Sequence, residues 1–486
     1  MENAPVTPAA RRGFFRRLLS WRGVLLLLAS FITLVALLLA EENWRGSRDW
    51  QNYKREMEAK GESFDAARLV PPKVPDDQNL AMIPFFTTEN ADAGQMTGQT
   101  DQFKWPNHPT RPLTWRYGWA ADLTGWAKAF HGPSADLVQS ASTVLDFLNK
   151  HEPVFTTLTS AKQRSACRFN IRYENWEHPH VESAMIQQLV RIKDLIRVLS
   201  LRAQAEMVSG RTDQAIDDIN VMFRIDSGLK DEPLLISQLV RMAAMSIIIQ
   251  PLGEGLAERR WSDVQLQVLQ ERLQKTDLIA STVQAMYGER DICVNQTFDR
   301  GGYFPSLFPH GWARLEQLNL NRAFQNMIIP RMDLAAREIN PSVNHSIDAS
   351  LENFSSSNVF DAEIHHSILA RMTLPAYSRV PQKVAFEQSE VDMAVLACAL
   401  ERYRLARGQY PEELNALIPR FVAVLPHDII NGQPLQYRRT DDGRFIIYSI
   451  GWNEKDDGGV VATTKDKPPR QDVLQGDWVL QYPEGK

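Results

Sequence analysis

Residues 181–223 read VESAMIQQLVRIKDLIRVLSLRAQAEMVSGRTDQAIDDINVMF, and two apolar periodicities inside this stretch decide the fold class. Met185, Leu189, Ile192, Ile196, Leu199 and Ala203 recur at three- and four-residue steps, which is the spacing of one helix face. Gly210 ends that run, and Thr212 and Asp213 open a second one carrying Ile216, Ile219, Met222 and Phe223. The pair predicts a helical hairpin. A third helix is expected from Pro233, in its first turn, to Ile249; it is apolar on nearly every side, as suits the middle of a bundle. A second membrane span is the rival reading of this run, against which stand its shortness and the polar Gln238 and Arg241 at its centre. A fourth helix opens on the capping box Ser262 and Gln265 and is expected to continue through Leu266, Leu269, Leu273 and Ile279. Residues 131–340 therefore predict a helical bundle within a mostly α protein.

Toward the N-terminus, residues 23–40 carry no charge, and only Ser30 and Thr33 are polar. As a helix this run nearly matches a hydrocarbon core about 30 Å thick, so a single transmembrane helix is expected. A cleaved signal peptide ending at Ala40 is the alternative; the length of the run and the bulky Leu38 before the cleavage position argue against it. The basic tail of residues 1–22, with Arg11, Arg12, Arg16, Arg17 and Arg22, places the N-terminus in the cytoplasm and the body outside it, in the periplasm of a Gram-negative cell. Residues 41–60 predict a charged helical stalk. The stretch to about residue 116 is dense in proline, and residues 41–130 are taken together as a stalk and Pro/Trp-rich segment. Its Trp105, Trp115, Trp119 and Trp126 admit two readings, a sugar-stacking platform or apolar pins that fix an irregular segment to the body.

The composition excludes several functions. With 486 residues and 44% hydrophobic content the chain can bury a sizeable core. Its 54 Lys and Arg against 59 Asp and Glu leave no global field to gather nucleic acid, which is not expected as a partner. Cys167, Cys293 and Cys398 stand far apart without zinc-ligand spacing, and Cys398 is expected to pack as a small hydrophobe. No nucleophile elbow, zincin motif, phosphate-binding loop or dinucleotide fingerprint occurs in the sequence, so no catalytic residues are assigned and the chain is not expected to be an enzyme. His178, Pro179 and His180 with Glu174, Glu177 and Glu182, and His365 and His366 with Asp361 and Glu363, have residue types that suit a metal, but polar loops or helix starts explain them equally. Glu289 and Arg290 are read as surface or buried pairing charges.

Residues 341–380, rich in Ser and Asn at their start, predict a linker. Beyond it, a helix is expected over residues 384–406, ending at Gly408, with a short helix over 412–417 and strands over 435–439, 444–450 and 478–482. Residues 381–486 thus predict a small α+β module with an antiparallel sheet.

This module resembles the C-terminal globular domain of the type II secretion major pseudopilin. The likeness rests on Ala399-Leu400-Glu401-Arg402-Tyr403, Gly408-Gln409-Tyr410-Pro411, Leu425-Pro426-His427-Asp428, Gly432-Gln433-Pro434-Leu435-Gln436-Tyr437, Tyr448-Ser449-Ile450-Gly451 and Asp457-Gly458-Gly459, in that order. The resemblance covers the last hundred or so residues. The N-terminal run Arg12-Gly13-Phe14-Phe15-Arg16-Arg17 lacks the family's processing motif, and the membrane helix is far from the module, so a reused module rather than a filament subunit is implied. The resemblance also implies calcium in the loop between the last strands, with Asp456, Asp457 and Asp472 as ligands; a solvated acidic turn is the other reading. The expected function is that of a non-enzymatic, membrane-anchored scaffold or protein-interaction module in the cell envelope, with a link to a secretion or pilus-like system. An envelope glycan-binding protein or hydrolase is the alternative.

Overall fold

A computed structural model describes residues 21–87, 121–150, 152–171, 173, 179–300, 309–356, 366–465 and 471–480. The protein is mostly helical, with an N-terminal apolar helix and a small C-terminal antiparallel sheet, as the periodicities predict. The hairpin comprises Pro179–Val208 and Thr212–Ser227, and between them Gly210 takes φ +75°, a conformation glycine adopts without a Cβ penalty. The third helix, Leu235–Ala257, packs on both arms of the hairpin and is buried along most of its length. The two polar groups at its centre, the Gln238 amide N–H and the Arg241 guanidinium, find partners within the protein. Gln238 donates to the carbonyls of Leu229 and Glu232, while Arg241 pairs with Asp226 at 3.2 Å and donates to Ser281 Oγ at 2.6 Å. These partners make it a core helix.

The capping box forms as expected, with the Gln265 N–H donating to Ser262 Oγ and the Ser262 N–H to the Gln265 side chain. That helix stops at Gln274, however, and Ile279 belongs to the next one, Leu278–Gly288. The break comes from Asp277, whose carboxylate accepts the Ala280 N–H at 2.8 Å and caps a new start. The linker expected at 341–380 is likewise corrected. Pro341–Ser356 is a helix, entered through Asn340, whose side chain accepts the Val343 N–H at 3.0 Å, and Ile368–Thr373 is another.

The C-terminal helix runs from Val380 to Arg407 and ends on Gly408 at φ +84°. It packs on Asp263–Gln274, Leu235–Ala257 and Leu278–Gly288 and also against the sheet, so one apolar core continues from Ala66 to Leu480 across the expected boundary at 381. Cys398 is fully buried in it. The sheet orders strands Gln436–Arg439, Phe445–Ser449 and Trp478–Val479, all antiparallel, with Gln436 opposite Tyr448 and Ser449 opposite Trp478. Two further strands, Val461–Thr463 and Gln471–Gly476, form a separate ribbon that the sequence does not announce, because their residues do not alternate between buried and exposed.

The stalk expected at 41–60 is not free. One helix of 39 residues, Trp21–Ala59, about 58 Å long at 1.5 Å per residue, contains both the apolar run and the charged segment. Residues 21–40 are almost wholly exposed, and this part is a candidate membrane span. The second half buries Gly46, Trp50, Tyr53 and Met57 against the helix His310–Ala323. Trp50, Tyr53 and Met57 meet Leu315, Leu318 and Phe64 in a small apolar cluster of their own. At the N-terminal end of this contact the two backbones touch. A Cβ on Gly46 would lie 2.2 Å from the Gly311 carbonyl oxygen, one on Gly311 would lie 2.1 Å from that of Glu42, and the Gly311 N–H donates to Asn43 Oδ1 at 2.7 Å.

Because backbone cannot retreat as a side chain can, Gly311→Val should push these helices apart and lower stability by about 1–3 kcal/mol, whereas Ser47→Val, at an exposed position of the same helix, should stay within about 0.5 kcal/mol of the parent. Thermal unfolding of the full chain in detergent checks this; equal effects of the two substitutions would contradict the close contact.

Candidate functional site

The acidic loop of the C-terminal module is organised by a residue that no sequence motif marks, Asp477. Asp477, fully buried just before Trp478, accepts the N–H groups of Asp457 at 3.2 Å and Gly459 at 2.6 Å. Burial raises its carboxyl pKa, and the N–H bonds oppose that rise. Asp456 accepts from the Tyr448 hydroxyl at 3.0 Å and the Gly458 N–H at 2.9 Å. Asp457 accepts from the Asn453 amide at 2.9 Å, and Asp472, on the separate ribbon, from the Leu474 N–H at 3.0 Å. The expected triad is therefore not assembled: among the described residues no three His, Cys, Asp or Glu side chains are grouped to hold a metal. Each carboxylate instead closes a turn through local N–H or O–H donors. Asp428 does the same deeper down, accepting from Ser449 Oγ and the N–H groups of Ile430 and Ile450.

The other candidates are dispersed. Glu174, Glu177, His178, Asp361, Glu363 and His365 lie outside the described residues, as do the side chains of Pro179, His180 and Glu182 and the tryptophans Trp105, Trp115 and Trp119. Trp126 is 1% exposed and belongs to the core, which fits an apolar pin and rules it out as an open sugar platform. His366 sits at the anchor junction, its Nε2 3.9 Å from Glu42 and its ring 5.3 Å from that of Trp312.

Glu289 and Arg290 are pairing charges, though not for each other. Glu289 accepts the Leu235 N–H at 2.8 Å and the Tyr377 hydroxyl at 3.1 Å. Arg290, fully buried, pairs with Asp291 at 2.8 Å and Glu62 at 3.1 Å and donates to the Ser63 carbonyl. It stands on a π-helical turn, Glu289–Gln296, which also presents Asn295 to Asn321 and Gln317 of His310–Ala323, the docking helix on which Trp21–Ala59 packs. A buried polar layer thus separates the main core from the small cluster beneath the anchor helix.

A second π-helical turn, Phe324–Ile328, follows the docking helix and borders a cleft of ≈ 510 Å³. Asn319, Arg322 and Ala323 of the docking helix, Asn326 and Met327 of the π-helical turn, and Ser367 and Arg371 from the Ile368–Thr373 segment line it. Arg322 is exposed, with its guanidinium carbon 5.9 Å from the Tyr53 ring centre. Arg371 Nε donates to Ser367 Oγ at 3.2 Å. These residues have no sequence motif in common, and no periodicity pairs them. Comparisons with protein-family models, curated proteins and solved structures give no match for this chain.

Elsewhere two carboxyls are held far from their ordinary range. Glu232, 1% exposed and with no hydrogen-bond partner for either oxygen among the described residues, is pushed up to about 8 by burial, with Arg168 opposing. Glu206 is raised to about 7 by burial and by Asp218, with Arg202 and Arg211 opposing. A carboxyl whose folded pKa is raised binds its proton more tightly in the native state, so its stabilisation is complete below the unfolded value of 4.5 and is lost as pH rises through the folded one. The melting temperature should therefore fall between pH 5 and pH 8.5, and Glu232→Gln should flatten the fall while gaining on the parent at the alkaline end. Parallel melting curves across that range test it; an unchanged slope in the variant would assign the effect to other groups.

Proposed function

We propose that this chain is a non-enzymatic, membrane-tethered scaffold whose helical body and C-terminal α+β module meet other envelope proteins just outside the cytoplasmic membrane. The observation that carries this reading is the anchor helix, which leaves the candidate span without a break and docks on the body through Gly46 and Gly311. A tether built this way fixes the height and orientation of the body above the bilayer, which serves presentation of surfaces more than free reach. The basic cluster from Arg11 to Arg22 supports the orientation with the tail inside. Likeness of the C-terminal module to the pseudopilin domain supports a partner in a secretion or pilus-like assembly, with the helix ending at Gly408 and antiparallel strands following it. The glycan-binding reading lost its one described tryptophan when Trp126 proved buried.

Protease added to spheroplasts should remove the body and leave the N-terminal tail protected. The membrane-extracted protein should begin at Met1, also when a prepilin peptidase is co-expressed. A mature chain starting at Glu41 would remove the tether, and a body protected until lysis would reverse the orientation.

A further inference from the structure

We infer that Trp44 and Arg48, on the face of the helix Trp21–Ala59 turned away from the body, form a binding point for the phosphate of a phospholipid headgroup in the bilayer that this helix crosses. The inference rests on the tether reading. Trp21 and Trp44 are both exposed, and at 1.5 Å per residue their Cα atoms stand about 34 Å apart along the axis, slightly more than the thickness of a hydrocarbon core. Indole rings at that separation sit at the two membrane–water interfaces, where they are favoured. Gly46, Trp50, Tyr53 and Met57 face the docking helix. At 3.6 residues per turn Trp44 and Arg48 fall on the opposite side, and both are exposed there.

Side chains of an α-helix tilt toward its N-terminus, which in this helix is toward the candidate span. Arg48 accordingly reaches back one turn and sets its guanidinium carbon 5.0 Å from the Trp44 ring centre. The indole thus holds the cation at the depth of the headgroups, and the planar guanidinium offers its N–H donors to an oxyanion. Arg48 makes no ion pair among the described residues. Its basic neighbours on this half of the helix are engaged: Arg45 donates to both carboxylate oxygens of Glu42 at 2.7 Å, Arg55 to Asn52 and the Gln51 carbonyl, and Lys60 to Glu56. Asp49, next to Arg48 in the chain, leaves the helix in another direction. Glu41, exposed one turn nearer the span, is the carboxylate that opposes an anion here. A lipid phosphate held at Arg48 fixes the depth of the helix and, through the contact of Gly46 with Gly311, the height of the body.

The test uses the full chain in micelles of an uncharged, phosphate-free detergent, with bound lipid counted by native mass spectrometry. Dioctanoyl phosphatidylglycerol should bind, and dioctanoylglycerol, with the same chains and no phosphate, should bind about tenfold more weakly. Inorganic phosphate at equal concentration should not displace the phospholipid, which separates a headgroup held at the interface from a free ion. Arg48→Ala should weaken phosphatidylglycerol binding by about tenfold and Trp44→Ala by about threefold or more, with Arg48→Lys between the parent and Arg48→Ala. Arg55→Ala, on the same face but further from the span, should change it by less than about twofold, and Glu41→Gln should tighten it. Because Trp44 and Arg48 are exposed, their variants should melt with the parent. The intact mass of the same preparation separates the two ways to fail. A chain beginning at Glu41 removes the tether and this site together. An intact chain that binds phosphatidylglycerol no better than Arg48→Ala does, or no better than it binds dioctanoylglycerol, overturns this assignment and leaves the tether standing.

Discussion

The helix Val380–Arg407 is the constraint on which the rest of the molecule depends. It is buried nearly from end to end, with bundle helices on one side and the sheet on the other. A helix so enclosed cannot leave its charges unpaired, because each uncompensated buried charge costs on the order of several kcal/mol. Asp392 is the test of this. Burial raises its pKa, and Arg337 answers with two parallel bonds of 3.0 Å, while Gln388 adds another donor. Arg337 reaches it from the tight turn between Asp333 and Glu338 at φ +55°, and the same turn accepts His427 through the Arg337 carbonyl and pairs Ile339 with Ile429. One ion pair therefore ties the end of the bundle, the central helix and the entry to the sheet together.

A second and weaker joint sets the body on its anchor. The apolar cluster around Trp50, Tyr53, Leu315 and Leu318 is separate from the main core, and the layer between them is polar, built from Arg290, Asp291, Glu62, Gln317, Asn295 and Asn321. Apolar surfaces slide past one another at small cost, whereas a hydrogen-bonded layer has few satisfactory registers. The polar layer thus fixes how the docking helix sits on the body, and the glycine contact fixes how the anchor sits on the docking helix.

Much of this order was legible in the sequence where local chemistry and periodicity agree. Gly210, Gly408 and the Ser262–Gln265 box end or begin helices for reasons contained within a few residues, and the uncharged run 23–40 needs no tertiary context. The reading failed where local and tertiary signals diverge. Gly46, Trp50, Tyr53 and Met57 follow a four-three-four spacing, but the charges around them suggest a solvated stalk, and only the presence of Gly311 across the helix turns the stripe into an interface. Asn340-Pro341 is a helix start hidden in a Ser/Asn-rich stretch. In the acidic loop, the family resemblance pointed to Asp456, Asp457 and Asp472, yet the group that shapes the loop is Asp477, which stands just before the expected strand 478–482 and belongs to no motif. The cleft was not legible at all, because Arg322 and Arg371 come together only through the packing of two helices.

That packing also joins the cleft to the tether. The docking helix meets the anchor along Gly311, Leu315 and Leu318 and lines the cleft with Asn319, Arg322 and Ala323, so the two surfaces share one rigid element. Arg322 belongs to both, since it faces the cleft while resting over Tyr53 of the anchor helix. A shift of this helix would therefore change the seat of the N-terminal helix and the shape of the cleft together, because no flexible joint lies between Gly311 and Ala323.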